Sequence, residues 1–362
     1  MGEALIVPVE SVGRSAAKAG AGFFAALDLG TNNCRLLIAT PTARGFRIVD
    51  SYSRIVRLGE GMSASGCLGD VAMERAISAL SVCAEKITRH NPKKVRAVAT
   101  QACRSASNGA EFVKRAFSRT GIRLDIIPAA EEARLAVAGC LDLLDFSMKA
   151  ALVLDVGGGS TELSWIDLTR PGLQAGNRRS AHRRSPIGAW TSVPIGVVSL
   201  AEQFTQTAAY APPGYRAMVD YVKTSIARFD GAEAFRPAFA SGSAHMVGTS
   251  GAITSLAGLH LDLPRYVRSR VDGLWMTRTE CEDVADRLAG LTVPQRAALA
   301  CIGPDRADLV LAGAAILQAV QELWPCERVR VADRGLREGL LLSLMSEQER
   351  ERPRRRFAGG IA

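Results

Sequence analysis

Residues 149–168 read KAALVLDVGGGSTELSWIDL, and residues 23–40 read FFAALDLGTNNCRLLIAT. Each stretch opens with an apolar run, closes it with an aspartate (Asp155 or Asp28), turns through glycine, and resumes at once with a second apolar run. Short apolar runs joined by such a turn predict a strand, a tight bend and a return strand. LDVGGGST and LDLGTNN are the nearest thing in the chain to an internal repeat. Two copies of one strand–turn–strand unit predict two similar domains facing each other across a cleft.

Outward from these turns, strands alternate with helices. GFRIVDSYSRIVRLG continues the first hairpin as a third strand, and residues 70–90 carry Met73, Ile77, Leu80 and Ile87 at helical spacing. VRAVATQACR reads as a strand entering a loop, GAEFVKRAFSRT as a helix, and LDIIPAAEEARLAVAGCLDLL as a strand passing through Pro128 into a helix. Beyond the second hairpin, PGYRAMVDYVKTSIARF is helical and HMVGTSGAITSLAGL is a small-residue run. A helix begins near Thr277 with the capping pattern Thr277-x-x-Glu280. RADLVLAGAAILQAV is a helix, RVRVADRG a strand and turn, and LREGLLLSLM a last helix. The alternation predicts an α/β protein. Its expected parts are a flexible extension over 1–22, a first domain over 23–148, a second over 149–345, and a basic tail over 346–362.

Composition narrows the class. The 362 residues are long enough for two domains, and 48% hydrophobic with 22% charged residues is ordinary for a globular protein. No apolar run reaches the roughly 20 residues of a membrane-spanning helix, and the N-terminus lacks the basic start and apolar core of a signal peptide. A cytoplasmic protein with no membrane partner is expected. None of the eight cysteines falls in a C-x-x-C pair, which predicts reduced, structural thiols. The net charge is +9, but Arg178, Arg179, Arg183 and Arg184 lie in one polar loop and Arg352, Arg354, Arg355 and Arg356 in the tail. Without those eight the remainder carries only +1. The two basic segments are either solvated arms or collectors of an anionic substrate. Aromatic residues are 6% with no stacking pattern beside the basic loops, which argues against a nucleic-acid partner.

The two turns carry the chemistry. Glycine lets a backbone approach a ligand closely, and a run of exposed N–H groups can wrap phosphate oxygens. The first turn offers Gly30, Thr31, Asn32 and Asn33; the second offers Gly157, Gly158, Gly159, Ser160 and Thr161. Either alone is compatible with a bare hairpin; the pair points to phosphate binding. Asp28, Asp155 and Glu162 are the candidate metal ligands, since magnesium takes oxygen donors and uses one or two carboxylates together with substrate phosphates. Mg²⁺ is the expected cofactor, with Mn²⁺ as an alternative.

The chain resembles the Ppx/GppA phosphatases of the actin and sugar-kinase superfamily. The resemblance runs from about Phe23 to Leu342 through ALDLGTNNCRLL, TQACRSASN, AAEEARLAVAGC, LVLDVGGGSTELS, SVPIGVVSLAEQF, VGTSGAITSLAGL, PDRADLVLAGAAIL and VADRGLREGL. It implies two actin-like (ribonuclease H-like) domains and a Mg²⁺-assisted phosphoanhydride hydrolase. It also assigns Glu132 of the EEAR block as the residue that activates water, with Glu131 as a helix-start carboxylate. The residues alone do not separate these two glutamates. Arg104 matches a family arginine near the phosphate, and Gly248–Gly251 matches a turn that is either structural or accommodates a guanosine. The implied substrate is inorganic polyphosphate, with guanosine pentaphosphate (pppGpp) as the runner-up. An ATP-using kinase or ATPase and a non-catalytic sensor of alarmone or polyphosphate are more distant. Longer family members carry a further helical region after the second domain, and without it high processivity on long chains is less expected. A homodimer stays open.

Overall fold

A computed structural model describes residues 22–43, 45–170, 185–204 and 212–351. The expected extension up to residue 21, the basic loop around 178–184 and residues 352–362 of the basic tail therefore lie outside the described residues, while 346–351 of that tail continue the last helix. Among the described residues eleven strands form two sheets. In the first, β1 (Phe24–Leu29) pairs antiparallel with β2 (Asn33–Thr42), which pairs antiparallel with β3 (Gly45–Ile55). On its other side β1 runs parallel to β4 (Lys94–Ala99), and β4 parallel to β5 (Leu124–Ile126), giving the order β3-β2-β1-β4-β5.

The second sheet repeats this pattern. Strand β6 (Ala150–Val156) pairs antiparallel with β7 (Thr161–Asp167), and β7 antiparallel with β8 (Ile187–Val193). β6 runs parallel to β9 (Ala244–Thr249), and β9 parallel to β11 (Arg328–Ala332). One strand, β10 (Trp275–Thr277), is added at the edge beside β11. The five-strand order and directions of the first sheet thus recur in the second, as the two similar hairpins predict, in the actin-like α/β architecture that the family resemblance implies.

Both faces of each sheet are covered, and the period of two along each central strand decides which side chain enters which core. Ala25, Leu27 and Leu29 of β1 pack with Met73, Ala76, Ile77 and Leu80 of helix Asp70–His90. Phe24 and Ala26 point the other way, to Leu135 and to Leu336, Leu340, Leu341 and Leu344. In β6, Ala150, Leu152, Leu154 and Val156 join the largest core with helix Val310–Leu323, whereas Ala151 and Val153 meet Val137 and Cys140.

Two helices tie the sheets together. Helix Ala129–Cys140 contributes Leu135 to a core of the first sheet and Val137 and Cys140 to a core of the second. Helix Leu336–Glu351 leaves the second sheet after β11 and buries its leucines on the first. An expected second domain over 149–345 includes most of that helix, yet its apolar face belongs to the first sheet's core. Glycine lets these two helices touch backbone to backbone: a Cβ on Gly339 would lie 2.0 Å from the Leu135 carbonyl oxygen, and one on Gly139 would lie 2.0 Å from that of Gly335, just before the second helix. All eight cysteines are free, and seven of them are buried.

Candidate active site

The two hairpins place like residues alike. Asp28 pairs in register with Arg35 across β1 and β2, and Asp155 with Glu162 across β6 and β7. The first loop closes with Gly30 N–H donating to the Asn33 carbonyl at 2.8 Å, and the second with Gly157 N–H donating to the Ser160 carbonyl at 2.9 Å. Carbonyls behind the loops are occupied. That of Asn32 accepts from Val56 and Arg57, that of Thr31 from Gly59, and those of Gly157 and Gly158 from Val197 and Val198 of helix Val197–Gln203. Among the described residues the N–H groups of Thr31, Asn32, Gly158 and Gly159 have no such partner. Successive free amides at a tight turn form a concave anion-binding surface.

The loops, 127 residues apart in sequence if measured from Asp28 to Asp155, touch in space. A Cβ on Gly158 would lie 3.0 Å from Thr31 Cβ and 3.1 Å from the Asn32 nitrogen, and one on Gly159 would lie 2.8 Å from Thr31 Oγ1. Glycine at these two positions is what lets one loop rest against the other. Residues of both loops, with Asp28, Asp155 and Glu132, line a single cleft enclosing 130 Å³.

Glu132 enters this cleft from the first turn of its helix and is buried, while Glu131 turns away to an ion pair with Arg96. Arg134 is half-exposed at 3.9 Å from Glu131. Arg104, in the short helix Gln101–Ser105, donates to Glu132 Oε2 at 3.1 Å, to the Ile127 carbonyl at 2.7 Å and to Gln101 Oε1 at 2.6 Å. Its guanidinium is thus held in three directions beside the carboxylate. Glu162 accepts from Ser192 Oγ at 2.7 Å, and Thr161 Oγ1 donates to the Ile195 carbonyl at 2.6 Å, so this threonine hydroxyl braces the loop from behind.

Four carboxyl groups are raised together. Burial is the main cause at each. Glu132 is pushed well up, with the charge of Glu162 adding to burial and Arg104 opposing it. Asp155 is pushed up to about 7, with Glu162 and Asp28 adding. Glu162 rises despite its hydrogen bonds from Ser192 and Ser160, and Asp28 rises despite Arg35 and Arg337. Like charges gathered out of water are the state that a cation would relieve. Asn32 Oδ1 is also a buried acceptor without a partner. The donor set is all oxygen and suits a hard divalent cation. No group of three or more acidic, histidine or cysteine side chains among the described residues forms a ready cage. Asp28, Asp155 and Glu162 therefore do not enclose an ion by themselves, and phosphate oxygens and water would complete its shell.

Sequence reading did not single out Arg35, Arg306, Arg334 and Arg337, which line the same cleft. Arg35 carried one signal, a lone cation inside the apolar strand NCRLLIAT. Arg306 reaches Ser255 at 3.3 Å, and Arg334 is held by Asp272. Thr249, Ser250 and Gly251 also line the cleft, with Gly251 close enough that a Cβ would lie 3.1 Å from Arg35 Nη2. Gly248 itself packs against Ile253.

Comparisons with known proteins agree with this geometry. The profile of the Ppx/GppA phosphatase family matches residues 37–348. The chain is 31% identical over 337 residues to Exopolyphosphatase 2 of Mycobacterium tuberculosis, covering 88% of this chain and 98% of that protein. It is 28% identical to guanosine-5'-triphosphate,3'-diphosphate pyrophosphatase of Photobacterium profundum, covering 92% of this chain and 61% of the relative. Among solved structures, the Aquifex aeolicus Ppx/GppA family member superposes with a TM-score of 0.72 at 25% identity, over 90% of this chain and 98% of that one. An exopolyphosphatase-like protein superposes with a TM-score of 0.76 at 28% identity, over 90% and 98%. With its paired loops, single cleft and matching profile, the chain belongs to the Ppx/GppA phosphatase family.

Proposed function

We propose that this protein is an exopolyphosphatase, releasing terminal orthophosphate from inorganic polyphosphate by in-line attack of water. The contact between the two loops carries the reading, because donors from both lobes then meet at one phosphoryl group. The N–H groups of Thr31, Asn32, Gly158 and Gly159 grip its oxygens, and Ser160 holds Glu162 beside them. Asn33, Gly30 and Gly157 shape the loops, and Thr161 fixes the second one in place.

Glu132 takes a proton from the attacking water as its oxygen bonds to phosphorus. The bridging P–O bond breaks, and its electron pair leaves with the shortened chain. Burial favours a carboxylate basic enough for this transfer. Arg104 orients Glu132 and faces the developing charge with a planar donor set. A divalent cation, with Mg²⁺ expected and Mn²⁺ as an alternative, would be held through Asp28 and Asp155, with Glu162 nearby, and would neutralise charge on the anhydride.

The relative named for guanosine-5'-triphosphate,3'-diphosphate favours a second substrate, pppGpp cut at its triphosphate end. The Thr249–Gly251 turn in the same cleft is where a guanosine would lie. Phosphate release from polyphosphate and from pppGpp, measured side by side in Mg²⁺, separates the two. Glu132→Gln should retain phosphate binding while lowering turnover by roughly 10²-fold or more. Near-parental turnover in that variant removes Glu132 from its role.

A further inference from the structure

In-line displacement creates an exit problem. The phosphorus moves toward the incoming oxygen, so orthophosphate forms on the side of the site away from the chain it has left. The cations that draw a polyanion, Arg35, Arg306, Arg334 and Arg337, all line the main cleft. A chain held there stands between the product and the cleft's mouth. Leaving by that mouth would require the whole chain to let go first.

The structure has a second cavity, of 410 Å³, that shares one residue with the cleft. Gln101 lines both. The rest of its lining is Ala129, Trp190, Thr191, Ser192 and Pro194, with no charged group among them. Ser192 also holds Glu162 and Gln101 also holds Arg104, so this cavity abuts the residues nearest the attacking water. Gln101 is partly exposed, and among the described residues two side-chain hydrogen bonds hold its amide, one from Arg104 and one to Ser105 Oγ at 2.8 Å. Rotating it exchanges those bonds for bonds to water or to the product. An uncharged lining suits a passage, because a cationic one would retain the phosphate.

We propose that orthophosphate leaves through this second opening, past Gln101, while the shortened chain stays in the cleft. The inference rests on the polyphosphatase reading above. It makes the second cavity the feature that permits successive cuts on one bound chain.

The test plugs the cavity from either wall, with Ala129→Trp or Pro194→Trp, and keeps Ala129→Ser as a control. Long-chain inorganic polyphosphate and Mg²⁺ are the probe, with cleavage followed by acid quench and free phosphate by a rapid sensor. Each plug should slow multiple-turnover release by roughly tenfold or more, producing a burst of one phosphate per enzyme. Single-turnover cleavage should stay within about twofold of the parent. The serine control should match the parent. Unchanged multiple-turnover release in both folded plug variants overturns the proposal, as does an equal loss in both assays. A parent enzyme that yields a ladder of intermediate chain lengths overturns it too. If the parent releases no phosphate from polyphosphate at all, it is the assignment of substrate that fails, and the two failures are told apart.

Discussion

Replacing Gly139 by alanine should separate the two helices that join the lobes, and the structure sets the size of the effect. The added Cβ would lie 2.0 Å from the Gly335 carbonyl oxygen and 2.7 Å from its carbon, against 3.4 Å for ordinary contact. Those atoms are backbone, so no rotamer change relieves the clash. Helix Ala129–Cys140 must move by about 1.4 Å to restore ordinary contact, a scale of overpacking that costs about 1–3 kcal/mol. Alanine's helix propensity returns up to about 1 kcal/mol of this. Glu132 rides two turns away on the same helix, and a misplacement of about 1 Å at a reacting group can cost about 10²-fold in rate. Urea unfolding and steady-state phosphate release should therefore both fall. Gly290→Ala is the contrast: its Cβ would meet nothing closer than 3.6 Å, so stability should hold or rise by about 0.4–1 kcal/mol. Parental stability and turnover in Gly139→Ala would refute the claim that this contact positions Glu132.

Arg104→Lys should leave the fold intact and lower turnover by roughly 10²-fold, because one ammonium cannot reach Glu132, Ile127 and Gln101 together; steady-state kinetics checks it. Arg57, just beyond β3, makes a two-pronged pair to Asp308 of the other lobe at 2.8 and 2.9 Å, about a third exposed. A double-mutant cycle with Arg57→Ala and Asp308→Ala should give a coupling of about 0.5–1 kcal/mol that fades in high salt. His245 is buried among Asp145, Trp275, Arg328 and Arg330, and burial lowers its pKa from 6.5 to about 4. The folded state refuses a proton that the unfolded state takes below 6.5, so stability falls as pH drops from about 6.5 to about 4 and this contribution is flat outside that window. The loss at pH 5 is about 2 kcal/mol. His245→Gln keeps an acceptor for the Asp145 N–H and should flatten the slope in urea titrations at pH 7 and pH 5.

Local patterns were readable where one segment supplies both the signal and its satisfaction. The capping pair at Thr277 and Glu280 forms as read, with each backbone N–H meeting the other's side chain. Asp28 and Asp155 each end a strand beside a glycine turn, as the apolar runs require. HMVGTSGAITSLAGL was less readable, since its small residues favour no element. There Gly248 lets β9 approach Ile253 closely, and helix Ser250–His260 follows directly. β8 went unassigned, and it is an edge strand in which Val193 alone is buried.

The sequence by itself determined two hairpins of one design, an α/β alternation, and the carboxylates and amides that each turn presents. Those depend on neighbours a few residues apart, where bond geometry and side-chain period act directly. Tertiary structure alone decided that Gly158 and Gly159 rest on Thr31, that Glu132 and not Glu131 faces the cleft, and that Arg35, Arg306 and Arg337 share it. It also placed helix Leu336–Glu351 on the first sheet. Such meetings join residues tens to hundreds of positions apart, and they follow from how two sheets and a shared pair of helices bury their apolar faces, which no local pattern encodes.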